Sequence, residues 1–160
     1  MTETLREMLT RHEGDRLQPY LCPAGHNTIG RGWNMDVWPL PKDIASYLHI
    51  YGGITQEMSD RLLELSLECC DHAVREIFKD FDSFSERRQW ALIDMCFNLG
   101  AFGLMGFKRM RRAIAAGDWI EAANQVNDSD YWRQLGGDPK GQDDGKLERP
   151  EEIAAMLREG

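Results

Sequence analysis

The sequence predicts a mostly α-helical α+β fold with one small β-hairpin or sheet, and three observations lead to this prediction. Amphipathic helical patterns fill most of the chain after residue 54, and glycines end several of them. Extended segments punctuated by Pro and Gly are concentrated in residues 15–35. The length of 160 residues suits a single domain, and a hydrophobic content of 42% is enough for a sizeable core.

The N-terminal segment predicts an amphipathic helix. Apolar residues recur at helical spacing from Leu5 onward. Thr4 and Glu7 fit a capping box, in which each side chain satisfies a backbone N–H at the helix start. Gly14 is expected to end this helix, because glycine readily adopts the left-handed conformation that follows many helices.

A β-hairpin is expected next. Leu17–Leu21 is kept extended by its proline, "CPAGHN" has the composition of a turn, and "TIGRGW" resumes a strand. Cys22 and Thr28 are expected to face each other across a five-residue loop, which would place the thiol and the hydroxyl on one face. Residues 35–53 fit neither pattern clearly.

The remainder of the chain predicts a series of helices. Gly100 and Gly117 are expected to end two of them, and Asp118 to cap the next. Pro150 suits the first position of a closing helix. The predicted helical segments are 55–78, 85–99, 107–116 and 118–126, with one turn at 131–135 and the closing helix from 150.

These elements predict one domain, residues 1–160, with two lobes. Residues 13–54 would form a small β-containing lobe, and residues 1–12 with 55–160 a helical lobe that begins with a long connecting helix. A cleft between two lobes is a common place for a ligand site.

The net charge, the N-terminal sequence and the cysteines indicate which partners and which cellular compartment to expect. A net charge of −8 argues against nucleic acid or an anionic membrane as a stable partner, because both attract Lys and Arg. The start of the chain, "MTETLREMLTRHEG", lacks the apolar block of a signal peptide. The four cysteines lack a CxxC spacing and suit free thiols in a cytoplasm. No metal site or cofactor is expected.

Three chemically useful side chains lie close together in sequence. Glu13 stands at the end of the first helix, where the negative end of the helix dipole disfavours an ionised carboxylate and so favours a general acid. Cys22 and Thr28 follow, one on each side of the predicted turn.

This stretch resembles the tailed-phage lysozymes, which are endolysins of the phage-type glycoside hydrolase family. The resemblance is carried by "EG" at Glu13, by Tyr20, and by "NTIGRG" around Thr28, with the spacing of Glu13, Cys22 and Thr28. It extends to "GGITQEMSDRLLELSLECCDHAVREIF", to "ERRQWALIDMCFNLGAFGLMGFKRMRRAIAAGDWIEAA" and to "YWRQ" with "ERPEEI". About three-quarters of the chain is covered, and residues 35–53 and 136–147 match poorly.

The resemblance implies a lysozyme-like fold and hydrolysis of the β-1,4 bond between N-acetylmuramic acid and N-acetylglucosamine. Glu13 would protonate the leaving oxygen, and Thr28 would hold a water or orient the sugar. Arg149 lies where the family has an arginine that pairs with the catalytic acid, and Asn98 near a position that lines the cleft. Trp33, beside the motif, would stack on a sugar ring.

Cys22 departs from the commoner pattern, which has an aspartate at this position. An ordinary thiol is only a few per cent ionised at neutral pH. A thiolate that attacks the anomeric carbon would retain configuration, whereas a thiol that helps to position water would invert it. Both routes remain open here.

The resemblance also implies a biological setting. A phage or prophage endolysin would be a monomer in the host cytoplasm and would reach the peptidoglycan at lysis through a separate holin-type pore. Two alternatives remain: a catalytically inactive wall-binding relative, and a cysteine amidase or peptidase that uses Cys22 with His26.

Overall fold

The computed structural model describes residues 3–129 and 149–160. Within those ranges it contains seven α-helices, a 3₁₀ turn at Phe81–Ser83 and a three-stranded antiparallel sheet. The helices are α1 (Leu5–Glu13), α2 (Lys42–Tyr51), α3 (Gln56–Ile77), α4 (Glu86–Gly106), α5 (Lys108–Ala115), α6 (Trp119–Asn127) and α7 (Arg149–Glu159). The strands are β1 (Arg16–Leu21), β2 (Asn27–Gly30) and β3 (Trp33–Asn34). The mostly helical α+β class is confirmed, while the turn predicted at 131–135 lies outside the described residues.

Helix α1 begins and ends as its sequence predicts. The backbone N–H of Thr4 donates to Oε2 of Glu7 at 2.7 Å, and the N–H of Glu7 donates to Oγ1 of Thr4 at 3.3 Å. The first of these bonds is the main reason that the pKa of Glu7 is lowered. Gly14 follows the last helical residue with φ 70° and ψ 179°, so the chain turns sharply after Glu13.

The segment "TIGRGW" forms two strands, although one strand was predicted. Strand β2 ends at Gly30 and β3 begins at Trp33, and the sheet order is β1-β2-β3. Gly30 and Gly32 have φ values of 62° and 81°. These left-handed conformations let the chain reverse at Arg31 without steric cost.

The register of the hairpin also differs from the prediction. Thr28 pairs with Tyr20, and the backbone N–H of Cys22 donates to the carbonyl oxygen of His26 at 3.0 Å. The prediction of a direct Cys22–Thr28 pair is therefore wrong. The reason is Gly25, whose φ of 84° permits a three-residue loop in place of the expected five.

Residues 35–53, whose sequence shows no clear pattern, contain helix α2. Pro41 precedes this helix, and Gly52, with φ 72°, ends it. Ile44 of α2 is fully buried beside Ile29 of β2. The buried cluster consists of Ile29, Ile44, Ile54 and Leu62. The partly buried residues that pack against it are Leu17, Trp33, Met35, Leu40, Leu48 and Met58.

The later helices pack on one another around a second set of buried residues. Helix α7 packs against α6 and α4, and α5 packs against α6. Arg88 of α4 donates from Nε to the carbonyl oxygen of Leu157 in α7 at 3.0 Å. Helix α4 breaks at Gly100, with φ 71° and ψ 168°, which is where the sequence predicted a helix end.

The chain divides into two compact units, Met1–Cys69 and Cys70–Gly160, with the boundary inside α3. The sequence predicts different bounds, with a small lobe of residues 13–54 and a helical lobe of residues 1–12 and 55–160. These lobe bounds stay a prediction. Across residues 3–129 and 149–160, no single helix is long and apolar enough to cross a membrane. Helices α4 and α5 meet that length and apolarity only when counted together, across an 86° bend.

Candidate active site

Glu13 is the last residue of α1 and is partly exposed. Because Gly14 leaves the helix immediately afterwards, Glu13 stands at the end of a rigid element, three residues before the start of β1. A proton donor needs such a position, since its carboxyl must be accessible to substrate and held in one place.

Cys22 lies at the first position of the turn between β1 and β2. The N–H of Gly25 donates to its carbonyl oxygen at 2.8 Å, which closes the turn. The thiol faces the inside of this turn, and the backbone N–H of His26 is the largest cause of a lowered pKa for Cys22. Burial opposes this effect, and further N–H groups from Ala24 and Gly25 add to it. A ring of backbone donors therefore favours the thiolate.

Thr28 is almost fully buried, with 3% of its surface exposed. Its hydroxyl donates to the carbonyl oxygen of His26 at 3.0 Å and is also within hydrogen-bonding reach of the Cys22 sulfur. A hydroxyl has a single hydrogen to donate. The thiolate is therefore supported chiefly by backbone N–H groups, while Thr28 fixes the shape of the turn around it.

Tyr20 connects these three residues. Burial is the main cause of its raised pKa, and the negative charge of Glu13 is the next. The charge of Cys22 raises the pKa of Tyr20 as well. Since Thr28 is its cross-strand partner, Tyr20 has an acid, a thiol and a hydroxyl around it. The sequence singles out Tyr20 only as part of a motif, because a strand tyrosine alone has no functional signature.

Arg149 and Asn98 lie in the second unit. Arg149 begins α7, and its Nε donates to Oδ1 of Asp94 in α4 at 2.9 Å. Asp94 is completely buried, whereas the Arg149 side chain is 11% exposed. Asn98 follows Asp94 by one helical turn, so the two lie on one face of α4. Asp94 was missed in the sequence, although a carboxylate inside the apolar run "ALIDMCF" is a usable signal.

Trp33 packs on the apolar cluster of the first unit. Its indole N–H donates to the carbonyl oxygen of Trp38 at 3.1 Å. This tryptophan is partly exposed, so one part of the ring supports the sheet and another part is open to a ligand.

His26 does not direct its imidazole toward Cys22 as a base would. Its Nδ1 lies 3.7 Å from Oδ2 of Asp36, and only its backbone N–H is among the groups that act on the Cys22 pKa. The geometry therefore favours the carboxyl–thiol–hydroxyl set over a Cys–His pair.

A comparison with protein families decides the class of this chain. The family described as phage lysozyme matches residues 10–149, a range that includes Glu13, Cys22, Thr28 and Arg149.

The chain belongs to the phage lysozyme family. It is therefore a lysozyme-type glycoside hydrolase. This confirms the family and the enzyme class that the motif around Glu13 predicted.

The relatives of this phage lysozyme family member differ in the fraction of their own length that aligns with this chain. The pre-baseplate central spike protein Gp5 of Enterobacteria phage T4 is 30% identical over 149 residues, which are 84% of this chain and 26% of that protein. The chain thus spans about a quarter of the spike protein's length. Probable T4-type lysozyme 1 of Dictyostelium discoideum is 26% identical, over 84% of this chain and 88% of its own length. Probable T4-type lysozyme 2 of the same organism is 26% identical, over 82% and 86%.

Proposed function

We propose that this phage lysozyme family member is a muramidase that hydrolyses the β-1,4 bond between N-acetylmuramic acid and N-acetylglucosamine in peptidoglycan. The observation that carries the proposal is the arrangement around Tyr20. The charges of Glu13 and Cys22 both act on its hydroxyl, and Thr28 is its cross-strand partner.

Glu13 is the proposed general acid. Cleavage of a glycosidic bond expels an alkoxide, which is a poor leaving group unless it is protonated as the bond breaks. The end of α1 gives Glu13 a fixed direction, and its partial exposure leaves room for a sugar oxygen.

Cys22 and Thr28 are the proposed second half of the site. The breaking bond develops positive charge on the sugar, and a thiolate stabilises or traps that charge. Since the turn lowers the pKa of Cys22, a larger fraction of it is ionised near neutrality than for an ordinary thiol. Thr28 holds the attacking water or the sugar through its hydroxyl oxygen.

Arg149, Asn98 and Trp33 are the proposed supporting residues. The family resemblance implies that Arg149 supplies positive charge to the catalytic acid and that Asn98 contacts the substrate. Trp33 offers a partly exposed aromatic face, which suits the apolar side of a sugar ring.

The proposed biological role is that of a phage or prophage endolysin in host lysis. The protein would act as a monomer on the glycan strand, from the host cytoplasm through a separate holin-type pore, without a stable membrane or nucleic acid partner. The net charge of −8 supports the last point, because both of those partners are anionic.

A clearing assay on chloroform-treated Gram-negative cells tests the proposal. The wild-type protein is expected to clear the suspension, and Glu13→Gln, which cannot donate the same proton, is expected to bind walls without clearing them. Wall binding without clearing by the wild type would indicate an inactive wall-binding relative. Release of free amines without new reducing ends would indicate an amidase or peptidase.

A further inference from the structure

The carboxylate of Asp15, two residues after Glu13, is the centre of a hydrogen-bonded cluster. Its Oδ2 accepts from Nη2 of Arg31 at 2.9 Å and from Nε2 of Gln56 at 2.7 Å. Its Oδ1 accepts from the hydroxyl of Ser59 at 2.7 Å. The side chains of Asp15 and Arg31 are only 16% and 11% exposed, so solvent screens this ion pair little.

The cluster joins three segments of the first unit, two of which adjoin residues of the proposed site. Asp15 belongs to the turn by which the chain leaves α1 directly after Glu13. Arg31 lies in the turn from β2 to β3, next to Gly32, whose N–H faces the Tyr20 hydroxyl. The other two donors to Asp15 come from the first turns of α3.

Gly30 shows how closely these segments approach one another. It ends β2 with φ 62°, and a Cβ atom added there would lie 2.9 Å from Oγ of Ser59. Only a residue without a side chain lets the strand come this close to α3. The strand that carries Thr28 is therefore held against the same serine that binds Asp15.

We propose that the Asp15–Arg31 ion pair is a positioning device, which sets the distance between Glu13 and the hairpin that carries Cys22 and Thr28. The inference rests on the function proposed above. Neither side chain touches the sugar, and both act through the backbone next to a site residue. A misplacement of about 1 Å is enough to cost on the order of 100-fold in rate.

Asp60 provides a matched control. It accepts from Nη1 of the same Arg31 at 2.6 Å, but its side chain is 52% exposed. Its Oδ1 also accepts from Nε2 of Gln56 at 3.2 Å, and Asp60 does not belong to the turn after Glu13. Asp60→Asn therefore removes the same charge from the same arginine without loosening the turn that follows Glu13.

The test compares turnover in the full-length Asp15→Asn and Asp60→Asn proteins. Asp15→Asn is expected to lower kcat roughly 10- to 100-fold with KM within about twofold, because the residues that contact the sugar are all present. Asp60→Asn is expected to keep kcat within about twofold. Arg31→Lys should recover only part of the activity lost in Arg31→Gln, since an ammonium group cannot engage two carboxylates as a guanidinium fork does.

Two further readouts separate positioning from general destabilisation. The Asp15→Asn/Arg31→Gln double variant should be no slower than the slower single variant, because both changes break one contact. The amide of Gly14, which donates to the carbonyl oxygen of Thr10 at 2.9 Å, should exchange at least about tenfold faster in Asp15→Asn than in Asp60→Asn.

The possible results are distinguishable. Equal kcat in the two single variants, or equal Gly14 exchange, would overturn the positioning role. A wild-type protein that cleaves no glycan would overturn the proposed function instead, and the exchange comparison would then decide by itself whether Asp15 holds the turn.

Discussion

The thiol of Cys22 and the hydroxyl of Thr28 share one face of the hairpin although they are not cross-strand partners. Thr28 pairs with Tyr20, and Cys22 hydrogen-bonds to His26 at the edge of the turn. Residues two apart on a strand point to the same side, so the two groups are diagonal neighbours, within reach of each other but not directly opposed. Because Cys22 lies at the turn, backbone N–H groups of the turn reach its sulfur. At a directly paired position inside the sheet, the backbone N–H groups would instead bond to the neighbouring strand.

The first prediction is that activity requires an ionisable side chain at position 22. Cys22→Ala should abolish clearing of cell walls, because it removes the ionisable thiol that faces Thr28. Cys22→Asp should keep a good part of the activity, since the same N–H groups can support a carboxylate. Initial rates on isolated cell walls check this, with circular dichroism as the control for folding. Equal loss from both substitutions would argue against the assigned role.

The second prediction concerns the ionisation of Cys22. Because its pKa is lowered in the folded protein, its alkylation by iodoacetamide should show a midpoint below the value near 8.5 of an ordinary thiol. Cys69 is exposed and would react as well, so the measurement uses a Cys69→Ser background. The midpoint should return to the ordinary value in concentrated urea.

The sign of the linked stability effect follows from the same shift. A thiol with a depressed folded pKa stabilises the fold above its unfolded pKa, and this contribution is lost as the pH falls through the folded pKa. Stability should therefore rise between those two values in the Cys69→Ser protein and not in the Cys22→Ser/Cys69→Ser protein. Identical profiles in the two proteins would contradict the shift.

The third prediction separates backbone strain from steric contact. Gly30 and Gly52 both have positive φ, but only an added methyl at Gly30 would meet another atom, Oγ of Ser59 at 2.9 Å. Gly52→Ala should cost about 1 kcal/mol of unfolding free energy through strain alone. Gly30→Ala should cost about 2–4 kcal/mol, because overpacking adds to that strain. Urea denaturation checks both, and equal costs would show that β2 and α3 are not held this closely.

The fourth prediction concerns the buried ion pair of Asp94 and Arg149. Asp94→Ala should lower the unfolding free energy by about 3–5 kcal/mol, because it removes one partner of a buried pair and leaves the guanidinium in place. Replacing both, as in Asp94→Leu/Arg149→Met, should recover much of that stability. If Arg149 also supports the catalytic acid, the double variant stays inactive. A loss below about 1 kcal/mol in Asp94→Ala would contradict the pair's structural importance.

The fifth prediction concerns salt. A protein of net charge −8 is repelled by anionic peptidoglycan at low ionic strength, so its rate on cell walls should rise as salt approaches about 0.1 M. Peptidoglycan whose peptide carboxylates have been amidated is the control substrate, because it keeps the same glycan bond with less negative charge, and its rate of cleavage should stay level. A steady fall with added salt would show that the basic residues 108–112 of α5 dominate locally. Arg109→Gln/Arg112→Gln should then remove the fall.

Sequence reasoning succeeded where local chemistry decides the structure. Thr4 and Glu7 cap α1, Gly14 ends it, and Gly100 breaks α4, because each acts on neighbours within one turn. The spacing of Glu13, Cys22 and Thr28 likewise predicted the family, since motif residues are local in sequence.

Sequence reasoning failed where contacts between residues distant in sequence determine the structure. Helix α2 is stabilised by burying Ile44 against other apolar residues, and its Pro-rich start concealed its helical pattern. The hairpin register depends on one left-handed glycine, Gly25, which shortens the loop by two residues relative to the prediction. The contacts of Asp15 with Ser59 span 44 positions, so no local pattern could predict them.

The central claim is that Glu13 donates a proton to a glycosidic oxygen while the Cys22–Thr28 turn faces the sugar. Proton NMR of purified peptidoglycan during digestion tests it most directly. We predict new reducing-end N-acetylmuramic acid signals with the wild-type protein and none above background with Glu13→Gln, and the first anomer observed will distinguish attack by the thiolate from attack by water. Reducing ends released at the same rate by both proteins, or by neither, would contradict the claim.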